Sequence, residues 1–277
     1  MRPSSILILA MLALSVACNL FGWPVWPAAV LAWLATLRLF RTLPRTSRRQ
    51  AGTLFAAGLL LWGVALVRGT PYPLLEALTI NQSLLMMFAG VSFLTMATPM
   101  ATKNPQRPGS MIGTMLGAHL FGAAINLSVV FLFGERMQRE GKLTRSQALI
   151  LGRGFTAAAA WSPFFVAMGV ALTYAPGLNY LNLVPWGLLA AALLLILNWV
   201  DVWRLKAPFT GYPIEKSALL MPCLLALVVI VLHLLWPGLS IPLIIAIVAP
   251  LFSFLLMPRS HRRERIHHQF THGLQRL

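Results

Sequence analysis

The residues whose types and spacing could do chemistry are concentrated in the apolar stretch 152–177, which reads GRGFTAAAAWSPFFVAMGVALTYAPG. Pro163 lacks a backbone donor and its ring clashes with the preceding turn, which predicts an interrupted helix near 160–162. Ser162 followed by Pro163 is typical of the cap and first position of a second helix. The free N–H groups and positive dipole end of such a helix bind anions. The alternative is a proline kink whose freed carbonyls are satisfied by neighbouring helices.

A second candidate group lies in the apolar run 111–134, which contains His119 and Asn126. At 3.6 residues per turn these two side chains share one helix face with Gly122. An ionisable side chain in a long apolar segment is a functional candidate by default, so we expect His119 and Asn126 to line a substrate path. The alternative is an interhelical hydrogen bond that holds a bundle together, in which small residues such as Gly113 and Gly117 allow close approach.

Asn81 and Arg153 complete the predicted substrate-binding residues. Asn81 belongs to a polar cluster at the start of the run 77–98, made of Thr79, Asn81, Gln82 and Ser83. These side chains either line a vestibule or cap and solvate the outer end of their segment. Arg153 stands before the interrupted stretch, where it either faces the mouth of a cavity or extends to an aqueous interface.

The acidic residues exclude several function classes by their positions. All of them lie in predicted loops or at segment edges: Glu76, Glu135, Glu140, Asp201, Glu215 and Glu264. A cation- or proton-coupled pump needs an ionisable group within the bilayer, so this class is not expected. Because the chain also lacks a nucleophile elbow, a phosphate-binding glycine loop and a zinc-type Cys/His pattern, we expect neither an enzyme nor a cofactor or metal. The histidines of the tail have no Cys or acid that would complete a metal site.

Composition places the chain in a membrane. Of 277 residues, 58% are hydrophobic and only 10% are charged, whereas a soluble domain has roughly 25% charged residues. Lys and Arg number 22 against 6 Asp and Glu, for a net charge of +16. Because the basic residues lie in short gaps between apolar runs, they indicate cytoplasmic loops of a polytopic membrane protein and not a nucleic-acid partner.

The expected fold class is an all-α transmembrane helix bundle with about eight spans and one re-entrant or broken segment. The apolar runs that support it are 5–21, 24–40, 51–67, 77–98, 111–134, 146–175, 178–200, 217–236 and 239–257. We expect a transmembrane domain over 1–257 and a basic cytoplasmic tail over 258–277. The first run, which follows Arg2, resembles a signal sequence, and we expect it to remain as an uncleaved helix.

Loop charges predict the orientation. The gaps 38–50, 135–153 and 201–216 and the tail are basic and are placed in the cytoplasm, whereas 22–26, 176–182 and 237–240 have no Lys or Arg. With both termini inside, an odd number of crossings is impossible, so one segment enters and leaves on the same face. If either 77–98 or 111–134 is that segment, all later basic loops lie in the cytoplasm, and the choice between the two stays open. Re-entrant backbone at membrane depth must be buried in protein or line a cavity, which indicates an internal site.

Two stretches resemble the ion transporter superfamily of bacterial inner-membrane proteins, which includes arsenite, dicarboxylate and other anion carriers. They are Asn81 followed by the run from Met86 to Leu94, and Arg153-Gly154-Phe155 leading to Trp161-Ser162-Pro163. Members usually contain two inverted repeats in a longer chain, so the resemblance implies a second half that is either missing from this sequence or supplied by a partner. The size and basic character are also similar to those of plasmid-borne membrane proteins linked to tellurite resistance.

These observations lead to the expectation of a bacterial inner-membrane protein that exports or excludes a toxic oxyanion such as tellurite. Helix ends at the Ser162 interruption would hold the negative group, with His119 and Asn126 along the path. The expected partners are the lipid bilayer, the small anion and a second membrane subunit or a second copy of the chain. The alternative is a non-transporting accessory or structural subunit of a resistance or transport complex.

Overall fold

The computed structural model describes residues 3–70, 72–97, 109–125, 128–138, 141–175, 177–212, 216–257 and 262–271. Within these residues the chain is all-helical, which confirms the predicted class, and strand-like pairing is limited to one antiparallel bridge between Gly109 and Gly211. The helices in chain order are α1 Pro3–Phe21, α2 Trp26–Phe40, α3 Arg45–Val67, α4 Leu74–Thr79, α5 Gln82–Ser92, α6 Leu94–Ala97, α7 Met111–Ile125, α8 Ser128–Met137, α9 Arg145–Ala157, α10 Val166–Tyr174, α11 Tyr180–Arg204, α12 Lys216–Leu235, α13 Ile241–Leu256 and α14 Arg262–Thr271; a 3-10 turn, Ala158–Ala160, follows α9.

Four helical stretches of the described chain are long and apolar enough to cross a membrane. They are Pro3–Phe21, Arg45–Val67, Leu74–Ser92, which joins α4 and α5, and Tyr180–Arg204. Shorter apolar helices occupy Trp26–Phe40, Met111–Ala124, Leu224–Leu235 and Ile241–Leu256. A helix of about 20 residues spans ~30 Å of hydrocarbon, so these lengths indicate a membrane protein.

A proline and a glycine define the ends of α3. Pro44 precedes the helix with extended backbone, φ −53° and ψ 149°, because a proline fixes φ and lacks the N–H that a helix start leaves unused. At the other end Gly69 adopts φ +72° and the Thr70 N–H donates to the Ala65 carbonyl at 3.0 Å. This left-handed cap requires glycine. The helix therefore includes the arginines that precede the apolar run 51–67.

Helices α7 and α8 form a hairpin whose two ends meet the same loop. At its start Gly109 and Gly211 exchange backbone hydrogen bonds of 3.0 and 2.9 Å, and the Tyr212 N–H donates to Thr114 Oγ1 at 2.9 Å. At its end the Phe133 ring stacks on the Tyr212 ring with centroids 3.9 Å apart. The hairpin therefore returns to the side from which it starts. This segment is one of the two that the loop charges allow to turn back within a membrane.

The core between α5 and α13 depends on a close backbone approach. A Cβ atom built on Gly90 of α5 would lie 2.7 Å from the Cα of Ala246 on α13. Met86 and Met87 on α5 and Ile245 on α13 are completely buried beside this contact. Only a residue without a side chain allows these two helices to pack at this distance.

The basic segment 258–277 contains a helix that packs against the bundle. Arg265 of α14 donates from Nη1 to the Met96 carbonyl at 2.7 Å, and Gln269 donates from Nε2 to Ser92 Oγ at 3.0 Å. The Phe270 ring meets the Phe93 ring edge-on with centroids 6.0 Å apart. Desolvation lowers the pKa of the Arg265 guanidinium. The sequence predicted a basic tail here but not a helix docked beneath α6.

Replacing Gly90 with alanine should destabilise the protein by about 2 kcal/mol, because the new methyl group must displace the backbone of α13. The free energy of unfolding in detergent micelles measures this effect. Gly58→Ala on α3 is the matched control, since a Cβ atom at Gly58 meets nothing within 4 Å. Alanine favours a helix over glycine, so the control should be neutral or stabilising. Equal stability of the two variants would contradict the proposed packing.

Candidate functional site at a helix break

The stretch 145–174 is interrupted, as Pro163 predicts. Helix α9 ends at Ala157, a 3-10 turn continues to Ala160, and α10 begins only at Val166. The expectation that Ser162 caps the second helix and that Pro163 is its first residue is wrong. Phe165, with φ −84° and ψ 138°, precedes the helix instead, and no side chain caps it.

Ser162 explains this later start because it organises a turn of its own. Its Oγ accepts the N–H of Phe164 at 3.2 Å, and its carbonyl accepts the N–H of Phe165 at 3.2 Å. Serine side chains compete for backbone groups in this way at turns. The chain therefore passes through Pro163 and Phe164 before its backbone resumes helical geometry.

The same serine joins the break to the last turn of α7, the first helix of the hairpin. Ser162 Oγ donates to the carbonyl of Ala123, in the last turn of α7, at 2.5 Å. Both Ser162 and Pro163 are buried. The serine hydroxyl donates one hydrogen bond and accepts another, so its proton is fully used by the protein.

His119 forms a second link one turn earlier on α7. Its Nδ1 lies 3.2 Å from the carbonyl of Gly154 on α9, and its Nε2 lies 3.1 Å from the indole Nε1 of Trp161 in the break. A carbonyl can only accept and an indole N–H can only donate. The pair of partners therefore requires a neutral imidazole with its proton on Nδ1, and both ring nitrogens are occupied.

Helix α11 supports the other side of the break. The Tyr180 hydroxyl donates to the Trp161 carbonyl at 3.1 Å, which satisfies a carbonyl that the interruption frees. Gly187 packs directly against the carbonyl of Ala160, so a side chain cannot be accommodated there. The Trp161 carbonyl that the interruption frees is thus satisfied by a neighbouring helix, as the burial of a polar group requires.

The start of α10 packs against α9, close to the last turns of α7. The Phe165 ring packs against the Phe155 ring with centroids 5.0 Å apart. A Cβ atom built on Gly122 of α7 would lie 2.8 Å from that Phe155 ring and 3.5 Å from Val129 at the start of α8. The beginnings of α8 and α10 and the end of α7 therefore surround Phe155.

The structure brings together only part of the predicted site. His119, Ser162 and Pro163 meet at the junction between hairpin and break. Asn81 lies elsewhere, where its Oδ1 accepts from the Tyr174 hydroxyl at 2.7 Å at the far end of α10. Arg153 is paired with Asp201 of α11 at 2.6 Å, and about half of each side chain is exposed. Asn126 lies outside the described residues.

Several residues of the junction were not predicted. Trp161, Tyr180 and Gly154 supply hydrogen-bond partners at the junction; Trp161 and Gly154 lie in the stretch 152–177 that the sequence singled out, whereas Tyr180 does not. A further polar residue, Asn198 on α11, is 1% exposed, and neither of its amide atoms has a hydrogen-bond partner among the described residues. An asparagine within an apolar run was the available signal for this position.

Comparisons of the chain with family models, curated proteins and solved structures find no match. In the described part of the chain, no three His, Cys, Asp or Glu side chains form a group that could hold a metal ion. The chemistry of the junction therefore follows from its hydrogen bonds, its helix ends and its burial.

A double-mutant cycle should detect the link between hairpin and break. His119→Phe and Trp161→Phe each remove one side of the imidazole–indole hydrogen bond, and we expect a coupling of about 0.5–1 kcal/mol in the free energy of unfolding, typical of buried hydrogen bonds in membrane proteins.

The control cycle pairs His119→Phe with Trp186→Phe, because Trp186 lies on the outer face of α11 with 70% of its surface exposed. These two substitutions should be additive. Coupling as large in this cycle as in the first would contradict a direct bond between His119 and Trp161.

Proposed function

We propose that this chain is a polytopic inner-membrane protein that handles a small anion at the interruption between α9 and α10. The observation that carries the proposal is the helix interruption itself, after which α10 begins without a side-chain cap where Phe165 packs against Phe155. Discontinuous helices of this kind form the substrate sites of many secondary transporters. The proposal concerns anions because a helix start presents free N–H groups and a positive dipole end.

A topology with about eight crossings supports this proposal. The crossings are α1, α2, α3, α4 with α5, α9 with α10, α11, α12 and α13, and the α7–α8 hairpin re-enters from the inner face. This arrangement puts the basic gaps 38–50 and 201–216 and the tail on one side, which is the cytoplasm by the positive-inside rule. Both termini are then cytoplasmic.

The chemistry of the α10 start is suited to an anion. No acidic side chain occupies its first turn and no side chain caps its N–H groups. In the low dielectric of the bundle interior, charge-assisted hydrogen bonds from such groups are stronger than in water. A small oxyanion, with several acceptor oxygens, matches this set of donors.

His119 and Ser162 act as positioning residues in this proposal. Their polar atoms are engaged by Gly154, Trp161, Phe164 and Ala123, so they fix the hairpin against the break and leave binding to the backbone of α10. Asn126 remains a candidate along the path. Asn81 and Arg153 belong to the two ends of the α9–α10 segment, where they would meet an anion that enters or leaves.

The identity of the anion is carried by resemblance alone. The ion transporter superfamily likeness favours arsenite, dicarboxylates or related anions, and the size and charge favour tellurite and a role in resistance. The engagement of His119 and Ser162 by protein partners favours a second candidate, an accessory or structural membrane subunit that acts through a partner. The following experiment separates the two.

Val166→Pro should weaken anion handling while it preserves the fold. Proline is well tolerated at the first position of a helix, and the extended Phe165 suits the residue before a proline. The substitution removes one N–H from the first turn. Since a hydrogen bond to a charged group is worth about 1.5–3 kcal/mol, the apparent affinity should fall at least about tenfold.

The measurement starts with cells that contain or lack the gene, grown with tellurite, arsenite or organic acids. Val166→Ala, which shortens the same side chain but keeps the N–H, is the matched control and should protect like the wild type at equal protein level. Loss of protection in Val166→Pro alone supports the site. Two outcomes contradict the anion site and favour the accessory subunit. The wild-type gene protects against no anion of the panel, or the two variants protect equally.

Thiol labelling tests the topology. In a background with Cys18→Ser and Cys223→Ser, Ser110→Cys and Gln138→Cys should both resist a membrane-impermeant reagent in intact spheroplasts, because they stand at the two ends of the re-entrant hairpin. Leu178→Cys, between α10 and α11, should react. If Ser110→Cys and Gln138→Cys label from opposite sides, the hairpin spans the membrane and the topology is wrong.

A further inference from the structure

The connection between α2 and α3 is strongly basic. Together with the adjoining ends of the two helices it contains Arg38, Arg41, Arg45, Arg48 and Arg49, all exposed, and we call this group the arginine elbow. The sequence has no acidic residue before Glu76, so no acid lies near the elbow along the chain. Neighbouring arginines repel each other unless an anion lies between them.

Helix α3 stands apart from the bundle along its length. None of its residues is buried. Its described attachments are the Phe55 ring, 6.3 Å from the Trp33 ring between centroids, and the Trp62 indole N–H, which donates to the Tyr72 carbonyl at 3.0 Å. The flanks of an apolar helix at membrane depth are otherwise covered by acyl chains.

The elbow and the apolar part of α3 have the proportions of a bilayer and one of its surfaces, because the apolar part is nearly as long as the ~30 Å hydrocarbon core and the arginines lie at its end. The segment 51–67 contains no charged residue and rises roughly 25 Å at ~1.5 Å per residue. The arginines Arg45, Arg48 and Arg49 form the first turns of the same helix, directly below it. A headgroup phosphate on the elbow therefore has its acyl chains beside exposed side chains such as Leu54, Phe55 and Leu59.

A second basic surface lies at the same end of the bundle. Leu39 at the end of α2 belongs to the same apolar cluster as Ile266 and Phe270 of α14. Arg262 and Arg263 in the first turn of α14 are exposed. The positive charge of the elbow thus continues toward the C-terminal helix, which broadens the surface that faces anionic headgroups.

We propose that the arginine elbow and the adjoining flank of α3 bind an anionic phospholipid, with the phosphate held by the guanidinium groups and the acyl chains along α3. Arginine suits this role because its planar fork donates two hydrogen bonds to phosphate oxygens. The apolar flank distinguishes this occupant from a nucleic acid or a free phosphate, neither of which would cover α3. The proposal is independent of anion handling at the α9–α10 break.

The test titrates phosphatidylglycerol or phosphatidylcholine into the purified full-length protein in neutral detergent and counts retained lipids by native mass spectrometry. We expect wild-type protein to prefer phosphatidylglycerol at least about tenfold, since each arginine near an anionic headgroup contributes substantially. The triple variant Arg45→Gln, Arg48→Gln, Arg49→Gln should lose most of this preference. The triple variant with Lys at the same positions should keep most of it.

The matched control is Lys142→Gln, Arg145→Gln, Arg204→Gln, which removes three exposed positive charges from the other cytoplasmic loops. It should bind phosphatidylglycerol like the wild type, and equal losses in both glutamine triples would overturn the assignment to the elbow. Two measurements need no variant. High salt should reduce the wild-type preference, and glycerol phosphate should compete poorly because it has no acyl chains; a salt-independent preference or equal competition by glycerol phosphate would overturn the proposal.

Discussion

The hydrogen bonds that join the hairpin end to the broken helix are the constraint on which the rest of the bundle depends. Backbone groups within a bilayer cannot form hydrogen bonds with water. A helix interruption such as that at Pro163 therefore persists only if neighbouring groups form hydrogen bonds with the freed backbone. Ser162 reaches α7, His119 connects α9 to the break, and Tyr180 supplies a donor from α11. The break is therefore a joint between three parts of the chain, and none of those parts could move independently without exposing polar backbone.

The sequence predicted the elements of this joint more successfully than their connections. Composition and run length were sufficient for an all-helical membrane protein, and Pro163 located the interruption because its missing donor acts locally. His119 was identified as a polar group in an apolar run. Its partners could not be found, because Gly154 offers only a carbonyl and Trp161 looks like an ordinary apolar residue until the two helices are packed together.

Two other features lay beyond sequence reasoning for a related reason. The late start of α10 depends on a competition between two uses of the Ser162 side chain, as a helix cap or as the centre of a turn, and propensity alone favours the cap. The contact of both hairpin ends with the loop before α12 depends on Tyr212, which is distant in sequence from the hairpin. Loop charges limit the re-entrant segment to two candidates and do not choose between them.

That contact at Tyr212 also has a consequence for how the chain is assembled. The tyrosine holds both ends of the hairpin, yet it follows Met137 by 75 residues (212 − 137). At ~5–20 residues per second, the ribosome needs roughly 4–15 s to deliver it after the hairpin has been made. During this interval the hairpin has been made but lacks the residue that holds its two ends. The docking of both ends therefore waits for a later segment of the chain.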